Sequence, residues 1–333
     1  MRGAALAILL SLPVAGAMEG VVQNGTTGRE QAGVEVTLMK LEQGMQPIGS
    51  TKTDAAGKFR FEQEPGGAPV MLQAQFEGVT YNQMIPPGTR TGDTRLTVYR
   101  AAPATTSEAR PEQHVMLLEP SGREMIINES FLYRNQSQPP VTYVDRKRGV
   151  LRFYLTPGAK GIVQVSTTGP GGVPVRSAAE KTEQPDVYKV DFAVKPGESR
   201  IDLTYLTPYQ SGMDFVSRKM YPGLVSRVAV PGGVAVKGEG LQSMGEEPQT
   251  KATIFQMPAG ETFRLAISGE GRLSRAGQEG AGGEASISIV PAPIDSKFWL
   301  IIGLAAAILG LGFYGLFTAQ QDKPPEGGKA KRR

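Results

Sequence analysis

Between residues 18 and 268 the chain is a succession of short runs in which apolar and polar side chains alternate. Val34-Glu35-Val36-Thr37-Leu38 alternates strictly, and so do Lys58-Phe59-Arg60-Phe61 and Glu129-Ser130-Phe131-Leu132-Tyr133-Arg134-Asn135. A period of two is that of a half-buried strand. Further runs at 70–76, 96–99, 114–118, 125–127, 150–155, 187–194, 201–206, 225–230, 234–236, 252–255 and 263–267 predict strands as well. Turn residues separate them: Asn24-Gly25, Thr27-Gly28, Pro157-Gly158, Pro196-Gly197. No stretch of helical period interrupts this region. The pattern predicts an all-β protein, with two or three β-sandwich domains in tandem and one C-terminal transmembrane helix.

The two ends break the rhythm. Arg2, an apolar run over 4–12 and Ala15-Gly16-Ala17 form a secretory signal peptide over 1–17, cleaved after Ala17, with Ala15 and Ala17 as its small residues. The run 298–317, FWLIIGLAAAILGLGFYGLF, is uncharged from Phe298 to Phe317. Twenty helical residues match the ~30 Å hydrocarbon core. Trp299 and Tyr314 stand where amphipathic rings prefer the interface, and Gly303 and Gly310 would permit close helix approach. The expected order is signal peptide 1–17, first β domain 18–100, linker 101–113, second β region 114–268, Gly-rich stalk 269–296, transmembrane helix 297–318 and basic tail 319–333. The second region reads either as one unit or as 114–210 and 211–268.

Within 18–100, three motifs carry a resemblance: Gly20-Val21-Val22, then Gly33-Val34-Glu35-Val36-Thr37-Leu38, then Thr53-Asp54-Ala55-Ala56-Gly57-Lys58-Phe59-Arg60-Phe61. They resemble the carboxypeptidase regulatory-like domain. That resemblance implies a small transthyretin-like (prealbumin-like) β-sandwich, non-catalytic, with a role in folding support, binding or presentation. Gly33, Thr53, Asp54, Gly57, Phe59 and Phe61 are its motif residues. The rest of the chain resembles membrane-anchored β proteins of bacterial envelopes, with no motif specific to a named family.

Charge sharpens the topology. The tail after Thr318 holds five basic and two acidic residues, and Arg2 adds one charge. Together these account for the formal +4, so the stretch between is neutral. The positive-inside rule then puts the tail in the cytoplasm and 18–296 in the periplasm or outside the cell. A neutral exported region argues against a nucleic-acid partner.

Candidate chemistry is sparse. With no Cys, thiol catalysis, zinc fingers and disulfides are excluded. His114 is the single imidazole, expected as a partly exposed strand residue. Asp186, Asp191 and Asp202 lack calcium-loop spacing. Gly169-Pro170-Gly171-Gly172 and Pro231-Gly232-Gly233 read as turns, and Arg146-Lys147-Arg148-Gly149 as a solvated hairpin turn. Tyr133, Tyr143, Tyr154, Tyr205, Tyr209 and Tyr221 would bind a ligand only if exposed. The sequence therefore points to a non-catalytic, membrane-anchored envelope protein. It has no catalytic residue, no cofactor and no metal, and it binds or scaffolds other envelope proteins. The alternatives are a carbohydrate-binding or surface-adhesion module for glycans and, third, an enzyme using carboxylates.

Overall fold

Strand-forming alternation becomes structure along nearly the whole described chain. The computed structural model describes residues 18–273 apart from 42–43, 63–67, 90–91 and 173. It is all-β, with one short 3-10 turn at Ser107–Ala109. Among the described residues no helix is long and apolar enough to cross a membrane. The signal-peptide residues Ala15 and Ala17 lie outside the described residues, as do Phe298, Trp299, Gly303, Gly310, Tyr314 and Phe317 of the expected span.

The first core lies between two four-stranded sheets. In one, Met18–Asn24 runs antiparallel to Arg29–Glu30 and Lys58–Phe61 and parallel to Thr94–Val98. In the other the order is Gln46–Lys52, Glu35–Lys40, Val70–Phe76, Val79–Ile85, all antiparallel. Their inward positions, Val22, Leu38, Phe59, Phe61, Leu72 and Val98 among them, form one cluster. Two glycines permit this closeness. A Cβ on Gly20 would sit 2.3 Å from Thr94 O and 2.5 Å from the Phe59 ring. Gly57 holds φ +71°, and a Cβ there would meet Glu30 at 2.8 Å.

The second core is built on an eight-stranded sheet ordered Pro174–Ser177, Lys160–Thr168, Gly197–Pro208, Glu124–Asn135, Gln113–Ser121, Val225–Val230, Thr253–Gln256, Gln242–Glu246. One pairing is parallel, Gln113–Ser121 with Val225–Val230. Two three-stranded sheets complete it. Leu151–Tyr154, Val187–Val190 and Glu180–Lys181 make the first. Met213–Arg218, Thr262–Gly269 and Val234–Lys237 make the second. Phe153 and Val190, Phe215 and Leu265, and Ile127, Leu203 and Val228 all enter one cluster. Residues 211–268 thus add strands to the second region's sheet and core.

Three stretches differ from their sequence reading. Residues 101–113 are an ordered connection: Ala101–Pro103 pairs in parallel with Thr142–Val144, and Glu112 N–H donates to Leu132 O at 2.8 Å. The start of the Gly-rich stretch is docked, since Gly269 ends a strand, Gly271 N–H donates to Pro120 O at 3.1 Å and Leu273 N–H to Glu119 at 2.9 Å. The turn at 146–148 joins strands of different sheets, so it is no hairpin. Backbone groups that find partners this way lose their reason to stay solvated.

Polar contacts tie the two cores. The Tyr81 hydroxyl donates to Tyr99 O and lies 2.8 Å from Thr142 Oγ1. Arg146 donates to Gly78 O at 2.6 Å, and Thr26 Oγ1 to Pro140 O at 2.6 Å.

Candidate functional site

Two assemblies of polar side chains lie one above the other in the second region, and strand register explains the deeper one. Glu124–Asn135 points Met125, Ile127, Glu129, Phe131, Tyr133 and Asn135 inward. Glu129 is therefore a carboxylate at a core position. Gln113–Ser121 points His114, Met116 and Leu118 inward. His114 pairs laterally with Phe131 on one side and Ser226 on the other, while Glu129 pairs with Met116. Tyr205 lies opposite Ile127. Glu129 is thus diagonal to both His114 and Tyr205, within reach of long side chains.

The result is a closed network. His114 Nε2 lies 2.8 Å from Glu129 Oε2, and the Tyr205 hydroxyl donates to Glu129 Oε1 at 2.6 Å. His114 Nδ1 is 3.3 Å from Ser226 Oγ, whose proton is also within reach of Leu224 O at 3.3 Å. The Phe131 ring stacks on the imidazole at 4.3 Å, 5° from parallel. His114, Glu129, Tyr205 and Ser226 are all buried. Burial pushes the Tyr205 phenol well above its ordinary value, and the charge of Glu129 and the hydrogen bond to it push the same way. His114 is thus a buried residue, not the partly exposed one expected, because the register sets it against a ring and a carboxylate that satisfy it.

Ser226, His114 and Glu129 have the order of a nucleophile, base and orienting carboxylate. Ser226 is 2% exposed, however, and the space beside the cluster is about 20 Å³, room for about one water. An acyl group has no room at that hydroxyl. The cluster holds four neighbouring strands together.

Above it lies an open groove of about 590 Å³. Three connecting segments wall it: the connection around 104–112, the turn at 145–150 and the turn at 220–224. Tyr221 and Leu224 border both the groove and the closed cluster. The Tyr221 hydroxyl accepts from Arg152 N–H at 2.8 Å and reaches Val150 O at 3.3 Å. The basic motif is divided: Arg146 ties down Gly78, while Arg148 lines the groove.

Of the six tyrosines, Tyr133, Tyr143, Tyr205 and Tyr209 are core residues, and Tyr154 and Tyr221 are half-buried. The motif residues of the first region meet elsewhere. Thr53 Oγ1 donates to Gln31 O at 2.8 Å and accepts from Val34 N–H at 2.9 Å, and Gly33 N–H donates to Thr53 O. Asp54 Oδ1 accepts from the amides of Ala56 and Lys58, closing the turn that feeds Phe59 and Phe61 into the core. Among the described residues no three His, Asp or Glu side chains converge as a metal site requires.

Comparison with known proteins adds little to this geometry. No family model and no curated protein matches the chain. Among solved structures, an M1 zinc metallopeptidase from Deinococcus radiodurans aligns with 13% identity and a TM-score of 0.27, covering 48% of this chain and 42% of the enzyme. A mutant of that enzyme bound to a Tyr-Ser-Ala substrate aligns with 14% identity and a TM-score of 0.26. The chain thus spans under half the length of these enzymes, and at such scores the likeness carries no argument.

Proposed function

We propose that this chain is a non-catalytic, membrane-anchored envelope protein whose exported β domains bind or scaffold other envelope molecules. In this reading 18–100 is a carboxypeptidase regulatory-like sandwich and 114–268 a second sandwich region. Residues 1–17 direct export, and the uncharged run 298–317 anchors the chain in the bilayer with the basic tail inside.

One observation carries the binding reading. The residues with the chemistry for catalysis are mutually satisfied and shut away, whereas the open groove beside them is lined by guanidinium, aromatic and backbone groups. Loops held by a sheet scaffold are where binding residues concentrate.

The test is photo-crosslinking in membranes, with a benzophenone side chain replacing Val225 on the groove or, as control, Glu62 in the first region. A reproducible adduct from the groove position alone is the expected result. Adducts of equal yield from both positions, or hydrolytic turnover that disappears in His114→Ala, would defeat it. Deleting residues 297–333 tests the anchor, and continued membrane association would refute it.

A further inference from the structure

The groove is unevenly charged. Arg110, Arg148 and Arg152 all line it, against the carboxylates of Asp145 and Glu112. Both carboxylates are drawn elsewhere. Asp145 Oδ1 accepts from the amides of Lys147 and Arg148 at 3.1 and 2.8 Å, closing its own turn. Glu112 leans toward Arg134, 3.9 Å away. Among the described residues the guanidiniums of Arg110 and Arg148 make no hydrogen bond or ion pair, and Arg152 uses one nitrogen, on Gln184 at 2.9 Å. Burial raises the Tyr221 phenol, while the hydrogen bond from Arg152 and the charges of Arg152 and Arg110 oppose the rise. Both guanidiniums are therefore felt at the groove floor.

Like charges gathered around one concavity repel unless an anion joins them. Guanidiniums also present paired donors that match a carboxylate or phosphate in geometry. A groove of about 590 Å³ is the size of a small-molecule site, well beyond a single ion.

We propose that this groove is an oxyanion-binding site, taking a carboxylate or phosphate carried on a small polar molecule, with Arg110, Arg148 and Arg152 as the recognition residues. The proposal rests on the binding reading above and names the ligand chemistry of that same groove.

The test is isothermal titration calorimetry on the full-length chain in neutral detergent. The probes are inorganic phosphate, D-glucuronate and, as an uncharged control, D-glucose, each at low and high salt. One anion should saturate a single site, weaken as salt rises and outcompete the other, which separates phosphate from carboxylate sources. Arg110→Gln with Arg148→Gln should weaken it at least tenfold with the melting temperature unchanged. Arg148→Lys, which keeps charge without the fork, should fall between. The proposal is overturned if neither anion saturates, or if the double variant binds as the parent does. Glucose binding that ignores both substitutions would also overturn it, while leaving the groove as a binding site.

Discussion

The closed cluster and the open groove share a wall and use overlapping residue types for opposite ends. In the cluster, His114, Glu129, Tyr205 and Ser226 have lost water and found one another. In the groove, Arg110 and Arg148 keep their water and are without a protein partner among the described residues. Desolvated polar groups must be satisfied internally, so they specify structure. Solvated charges cost the fold little and remain able to meet a ligand. Chemical identity alone does not decide whether a polar side chain is satisfied here; the presence of a partner does.

The contrast is most sharply tested at Glu129. Glu129→Ala strands His114 Nε2 and the Tyr205 hydroxyl together, and should cost about 3 kcal/mol and roughly 10 °C in Tm. Thermal melts that shift by only a degree or two would show the cluster to be wet.

Alkali probes the same side of the comparison. Well below pH 10 Tyr205 is protonated whether folded or unfolded. Above that, the unfolded chain releases the proton first, so stability falls as pH rises toward the folded-state value. The slope is ~1.4 kcal/mol per pH unit for each such tyrosine. Tyr133, raised well above 10.0 by burial, adds a second. Urea titrations between pH 10 and 12 should show a slope shallower by one proton in Tyr205→Phe and unchanged in Arg148→Gln. Equal slopes in the parent and Tyr205→Phe would remove Tyr205 from the account.

Tyr221 belongs to both regions, and its substitution should register in both. Tyr221→Phe removes the acceptor for Arg152 N–H and the donor to Val150 O, and should cost ~1 kcal/mol while loosening the groove floor. Denaturant melts of the variant check the first effect. If they leave stability unaltered, the wall between cluster and groove is held by other contacts.

The smallest effect belongs to the groove. Arg148→Gln should change stability by less than about 0.5 kcal/mol, because an exposed unpartnered charge contributes little. A larger loss in the same melts would mean that Arg148 holds the fold, and would blur the distinction.

Much of this was legible locally. Alternation marked the strand that carries Phe131 and Tyr133, and the same alternation put Glu129 in the inward phase. That misplaced carboxylate was the available signal for the cluster, and it is readable without coordinates. The Asp54 turn was likewise legible, because an Asx side chain and a left-handed Gly57 act within four residues. The groove left no such trace. Arg110, Arg148 and Tyr221 come from three connections, one of which reads as a loose linker because its partners lie in distant strands.

The sequence by itself determined that the described chain is all-β, which residues face inward in the strictly alternating strands such as Glu35–Lys40, Lys58–Phe61 and Glu124–Asn135, and where several turns close. Those are properties of period and of backbone chemistry over a few residues. Only the tertiary structure decided that His114 is buried, that it meets Glu129 15 residues away and Ser226 112 residues away, and that Arg148 is left facing a groove. The physical reason is that alternation fixes a side chain's face, while register across strands fixes its neighbours. Whether a polar group is satisfied or free depends on those neighbours.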